Sequence, residues 1–185
     1  FQREHSSRQV QSRWGYAKRL NMELSRKISA EITKYAVEYQ ADVIVFEYLE
    51  MQGKISGKKK QKLHLWRKRD IQKLCEHQAH RNRIRVSRVS ARNTSRLACD
   101  GSGAVVRNPE NHSLCIFQTG KQYNCDLSAA YNIGARYFIR ELLKPLPETE
   151  RSSLEAKVPA VKRRTSCVYA DLRKLYVEVN NLKAA

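Results

Sequence analysis

Apolar residues recur every fourth position along 20–39: Leu20, Leu24, Ile28, Ile32 and Ala36, with Tyr35 and Tyr39 beside them and no Gly or Pro inside. That spacing predicts an amphipathic helix. At 42–49 the period is lost. Val43-Ile44-Val45-Phe46 is a continuous apolar run rich in β-branched residues, which predicts a buried strand. The segment 52–60 holds two glycines and Lys58-Lys59-Lys60 and predicts a polar loop. Helical spacing returns over 62–80, with Leu63, Trp66, Ile71, Leu74, Cys75 and Gln78 as the expected inner stripe. The segment 84–89 alternates in part and predicts a second strand.

From 97 to 123 the texture changes. Asp100-Gly101-Ser102-Gly103 and Thr119-Gly120-Lys121 are tight-turn signals between short strand-like stretches, so a β-insert of two small hairpins is expected. Asp126 is placed to cap a helix running to about residue 144, ahead of Pro145 and Pro147. The segment 147–164 reads as a polar linker. Val168, Leu172, Leu175, Val179 and Leu182 form the apolar edge of a last helix, and no internal repeat is visible.

The chain has 185 residues, which allows one domain with a small appendage. Its hydrophobic content of 41% suffices for a packed core and excludes wholesale disorder. Thirty-six Lys and Arg against 18 Asp and Glu leave a formal charge of +18. Such an excess repels itself unless a polyanion is near, and nucleic acid is the commonest one. The basic runs lie on several predicted elements: Lys58-Lys59-Lys60, Arg67-Lys68-Arg69, 81–88 and Lys162-Arg163-Arg164. A lipid-surface binder would gather them on one amphipathic helix, and no stretch approaches the ~20 apolar residues of a membrane span. The five cysteines are odd in number and irregularly spaced, so a reducing, cytoplasmic setting is expected. The first residues are polar and basic, unlike a secretory leader. Position 1 is Phe rather than Met, so a piece of a longer chain is expected.

Two acidic positions stand out. Glu47 lies at the exit of the apolar strand, and Asp126 at the start of a helix. Carboxylates distant in sequence that converge at element ends are how hard divalent cations are held. Two such ions can clamp the attacking and leaving oxygens of a phosphodiester. Taken singly, Glu47 reads rather as a solvated strand end and Asp126 as a helix cap, because both are common. His77 and His80 are spaced i,i+3 without an evident third ligand and read as surface. Trp14 and Trp66 read as core packing rather than base-stacking residues.

The sequence around both acids resembles a known family. Asp42-Val43-Ile44-Val45-Phe46-Glu47-Tyr48-Leu49 is similar to the second RuvC motif of TnpB/OrfB proteins, the transposon-encoded RNA-guided nucleases related to type V CRISPR effectors. Asn93-Thr94-Ser95 resembles the segment leading into their zinc ribbon. Cys125-Asp126-Leu127-Ser128-Ala129-Ala130-Tyr131-Asn132-Ile133 resembles their third RuvC motif. Order and separation agree over roughly residues 10–144. The resemblance implies an α/β chain with an incomplete RNase H-like (RuvC) fold. It would consist of a RuvC-like part at 1–96, a degenerate zinc-ribbon-like β-hairpin insert at 97–123 and a RuvC-like helix with Asp126 at 124–146. A linker and C-terminal helix at 147–185 have no family counterpart. Glu47 and Asp126 become catalytic ligands of a two-Mg²⁺ site. Guide RNA and target DNA become the partners, with no membrane. A guide that reads sequence leaves the protein to supply positive charge and a metal centre. Among the arginines, Arg85, Arg88, Arg92 and Arg96 are the candidates for gripping nucleic acid.

The sequence departs from the family twice. Cys99 has no second thiol three residues on, and Gln118 stands where a Cys-x-x-Cys partner of Cys115 would fall. Structural zinc wants about four ligands, so none is expected. Cys99, Cys115, Cys125 and His112 add up to four without knuckle spacing, and turn chemistry with packing from Val105, Val106, Phe117 and Tyr123 is expected to close the hairpins instead. The strand with the family's first catalytic Asp also has no counterpart before residue 42. This chain alone is therefore expected to be inactive, and to dimerise or swap elements through the exposed edge of the Glu47 strand. The competing expectations are a non-catalytic nucleic-acid-binding regulator and a transposon-associated DNA-binding module.

Overall fold

The computed structural model describes residues 2–48, 68–163 and 165–184. The architecture is mixed α/β. Helix α1 (Gln2–Glu38) leads to β1 (Val43–Tyr48), α2 (Lys68–Arg81) and β2 (Arg85–Ser90). Three short strands follow: β3 (Val106–Arg107), β4 (Leu114–Ile116) and β5 (Gln122–Asn124). The chain ends in α3 (Cys125–Leu143), α4 (Glu148–Lys157), a 3₁₀ turn (Pro159–Lys162) and α5 (Tyr169–Ala184). Strands β1 and β2 form a two-stranded sheet, and β3-β4-β5 an antiparallel one. The described residues divide into two compact units. One runs to Ile44 and resumes through Val86; the other takes β1 from Val45 and everything from Ser87. The expected loop at 52–60 and the start of the expected helix at 62–67 lie outside the described residues.

In the first unit, α1 is far longer than its apolar periodicity predicts, and it buries a different face. Leu20, Leu24 and Ile28 stay 44–47% exposed, while Ser25, Ser29, Thr33 and Ala36 are buried against α2. The facing residues on α2, Cys75 and Ala79, are equally small and fully buried. Small side chains let two helix backbones approach closely. The buried hydroxyls are satisfied at home: Ser25 Oγ donates to the Asn21 carbonyl at 2.8 Å and Thr33 Oγ1 to that of Ser29 at 2.9 Å. The Cys75 thiol donates across the seam to the Ser29 carbonyl at 3.5 Å, and burial pushes its pKa up. A small core of Ala36, Ala79 and Ile84, with Ala41, Ile44 and Val86 against it, completes this unit.

In the second unit, the expected linker at 147–164 is folded. Leu154, Val158 and Val161 are buried and join Ile139, Leu143, Cys167, Leu175 and Val179 in one cluster. The segment looks polar because only these few positions turn inward. No helix among the described residues is long and apolar enough to cross a membrane.

Candidate functional site

Helix α3 begins one residue before Asp126. Its cap is Asn124, whose side chain accepts from the N–H groups of Asp126 and Leu127 at 3.0 and 2.9 Å. Asn124, not Asp126, therefore satisfies the orphan donors of the first turn. That leaves the Asp126 side chain exposed at the positive end of the helix dipole, where an anion is favoured.

The inner face of α3 carries Ser128, Asn132, Ala135, Arg136, Ile139 and Leu143 at helical spacing, all buried. Asn132 has no exposed surface. Its Nδ2 donates to the carbonyls of Thr94 and Leu97 at 3.0 and 2.8 Å, and its Oδ1 accepts from the Tyr169 N–H at 3.1 Å. One amide thus ties the 92–97 turn to the start of α5.

The same turn reaches Glu47. Thr94 Oγ1 donates to Glu47 Oε1, and the Ala91 carbonyl lies 3.0 Å from the same hydroxyl. A hydroxyl has one proton, so it serves one acceptor at a time. Glu47 is half-buried at the end of β1.

Arg136 is the cation closest to this arrangement in effect. It is 5% exposed. Its Nη1 donates to the carbonyls of Ser90 and Arg92 at 2.6 and 2.7 Å, and its Nε to that of Cys167 at 3.1 Å. Burial lowers its pKa, while the nearby Cys167 and Glu47 pull it back up. One turn on, Arg140 Nη2 donates to Ser87 Oγ at 2.7 Å and Nη1 to the Arg88 carbonyl at 3.3 Å. These two arginines hold β2 and the following turn, through backbone carbonyls and the Ser87 hydroxyl. Neither was singled out by sequence. The available signal was their i,i+4 spacing on the apolar face of α3, where a basic residue needs a buried partner.

Of the arginines expected to grip nucleic acid, Arg92 and Arg96 have exposed side chains on the turn that bears Thr94, and Arg85 is exposed on β2. Arg88 is half-buried.

The three thiols of the insert share one apolar cluster with Ala98 and Phe117, against which Val105 and Tyr123 pack. Val106, expected in that packing, is 66% exposed. Cys115 is fully buried and donates to the Tyr123 carbonyl at 3.5 Å. Burial, then the neighbouring Cys125, pushes its pKa up to about 11. Among the described residues no three His, Cys, Asp or Glu side chains are grouped to hold a metal ion. The two turns are joined by hydrogen bonds. Asp100 Oδ1 accepts from the Ser102 N–H at 2.9 Å, and Oδ2 from Thr119 Oγ1 at 3.4 Å. Gly103, with φ +120°, leaves room for Gln118, whose Nε2 would lie 2.7 Å from an added Cβ. The insert is fastened by Cys99, whose N–H donates to Ser128 Oγ at 3.1 Å and whose carbonyl accepts from the Ala170 N–H at 3.0 Å.

No protein-family model matches the chain, and no curated protein matches it.

Proposed function

We propose that the chain is the C-terminal nuclease portion of an RNA-guided, Mg²⁺-dependent DNA endonuclease of the TnpB type, with an incomplete RNase H-like fold. The supporting observation is the hydrogen-bonded path Glu47–Thr94–Asn132. Each residue comes from a different one of the three sequence blocks that resemble the family, and the path runs from the strand-end carboxylate to the helix that begins beside Asp126. That hydrogen bonds join one residue from each motif supports a shared site. The donor set fits the ion by type: Glu47 and Asp126 offer hard carboxylate oxygens, which suit Mg²⁺. Bound there, magnesium would supply an activated water and stabilise the leaving oxygen of a phosphodiester. The protein's own part is positional. Thr94 orients the Glu47 carboxylate, Asn132 and Arg136 hold the turn that carries Thr94, and Arg92 and Arg96 on that turn face solvent, where a phosphate strand would lie.

The test uses Mn²⁺ as a paramagnetic substitute. Titration into the ¹⁵N-labelled chain should broaden the amide signals around Glu47 and Asp126 together, and Glu47→Gln should abolish the effect at both. Broadening elsewhere, or at only one of the two, would refute a shared centre. A second reading rests on Arg136, whose charge Glu47 supports in a buried setting. Glu47 would then be a structural counter-ion in a nucleic-acid-binding regulator that does not cut. In that case Glu47→Gln lowers the melting temperature while Mn²⁺ leaves the wild-type spectrum unchanged.

A further inference from the structure

Helices α3 and α5 pack against each other and leave an open groove of about 460 Å³. It is lined by Phe138 and Leu142 from α3 and by Tyr169, Leu172, Arg173 and Tyr176 from α5. Two pairs of aromatic residues lie seven apart, Tyr131 with Phe138 and Tyr169 with Tyr176, so each pair shares one helix face. The pairs approach at one end, where the Tyr131 and Tyr169 rings lie 5.1 Å apart. At the other end Phe138 is 52% and Tyr176 56% exposed. Burying such rings is worth a great deal, yet the fold leaves them in water. Three of the four are tyrosines, with an apolar face and a wet edge. Arg173 sits between Tyr169 and Tyr176 on the same helix.

We infer that this groove binds single-stranded nucleic acid, with unpaired bases stacking on Tyr169, Tyr176 and Phe138 and the phosphate backbone meeting Arg173. Tyrosines seven residues apart are separated by about 10.5 Å along the helix, close to three stacked-base spacings of roughly 3.4 Å. Aromatic platforms beside a cation are how single strands are held without sequence preference. A duplex keeps its base faces covered and gains nothing from such rings. Arg173 is the one charged residue of the lining, and it favours an anionic occupant. An apolar helix from another protein would fill the groove but leave that charge unanswered. The lining includes neither Glu47 nor Asp126, and α5 lies outside the stretch that resembles the nuclease family.

Fluorescence anisotropy of the 185-residue chain with a labelled oligothymidine and with a duplex of equal length tests this directly. Tyr176→Ala and Phe138→Ala should each weaken single-strand binding about tenfold. Tyr176→Phe should retain it, and duplex binding should not change. Arg173→Gln should weaken binding and flatten its salt dependence. Both alanine sites are more than half exposed, so thermal melts should match the wild type. Wild-type affinity in both alanine variants, or equal losses on single strand and duplex, would overturn the assignment. Glu47→Gln should leave groove binding intact, so failure of the metal centre and failure of the groove are read separately.

Discussion

Asn132 joins three segments of the second unit. Its three hydrogen bonds satisfy two carbonyls and one N–H from segments distant in sequence, and the amide has no contact with water. Removing a buried partner leaves each orphan to bear its desolvation cost, about 1–3 kcal/mol. Asn132→Ala should therefore destabilise the chain by at least ~3 kcal/mol in chemical denaturation. Asn132→Asp should also be damaging, because a carboxylate oxygen would face two carbonyls where a donor is needed. A loss under ~1 kcal/mol would mean that the turn at 92–97 is held chiefly by Arg136. Arg136 shows the same logic with a charge: three backbone carbonyls accept from its Nε and Nη1, and Cys167 and Glu47 support its charge, while its buried Nη2 has no hydrogen-bond partner among the described residues.

Helices α1 and α2 meet through serine, threonine, alanine and cysteine, while the leucines of α1 look outward. The fully buried residues of the seam are all small. Ser29 has no exposed surface, and Cys75 Sγ lies 3.5 Å from its carbonyl. Ser29→Leu should wedge the helices apart and cost about 1–3 kcal/mol or more. Leu24→Gln, on the outward face, should change stability by no more than about 0.5 kcal/mol. A periodicity that buried the leucines would give the opposite order, so the pair of denaturation midpoints decides between the two faces. The insert shows a related economy. Its core is a thiol-lined cluster, and Asp100 ties the 100–103 turn to Thr119 between β4 and β5.

Across the whole molecule, excess positive charge and one acid-sensitive carboxylate set the response to solution conditions. Burial works to raise the Asp100 pKa, but hydrogen bonds from Ser102 and Thr119 and the charge of Lys121 outweigh it, and the net shift is downward. A carboxylate with a lowered folded pKa adds stability above its unfolded value, about 3.9, and loses it as pH falls through the folded value. Hydrogen exchange of 97–124 should therefore quicken, relative to the rest of the chain, below about pH 4. Asp100→Asn should remove most of that slope. The charge itself opposes compaction, and a bound polyanion should relieve it in a salt-dependent way.

Local pattern sufficed for β1 as a strand, though it is half-buried rather than buried, for β2 to within one residue, for the turns at 100–103 and 119–121, and for α3 and α5. In each, neighbouring residues carry the cause: β-branching, a glycine where φ is positive, or an apolar stripe of regular period. The inner face of α1 was misread, because periodicity reports that a helix has an apolar side but not which side meets a neighbour. The folded stretch at 148–162 was missed for a like reason. A few inward residues, Leu154, Val158 and Val161, suffice once a cluster exists to receive them. The motifs named Glu47 and Asp126, and Asn132 stood within one of them. What Asn132, Arg136 and Thr94 do was not legible, since they act on groups between three and forty-seven positions away in sequence. Burial of polar side chains is settled by what folds around them, and only packing in three dimensions supplies those partners.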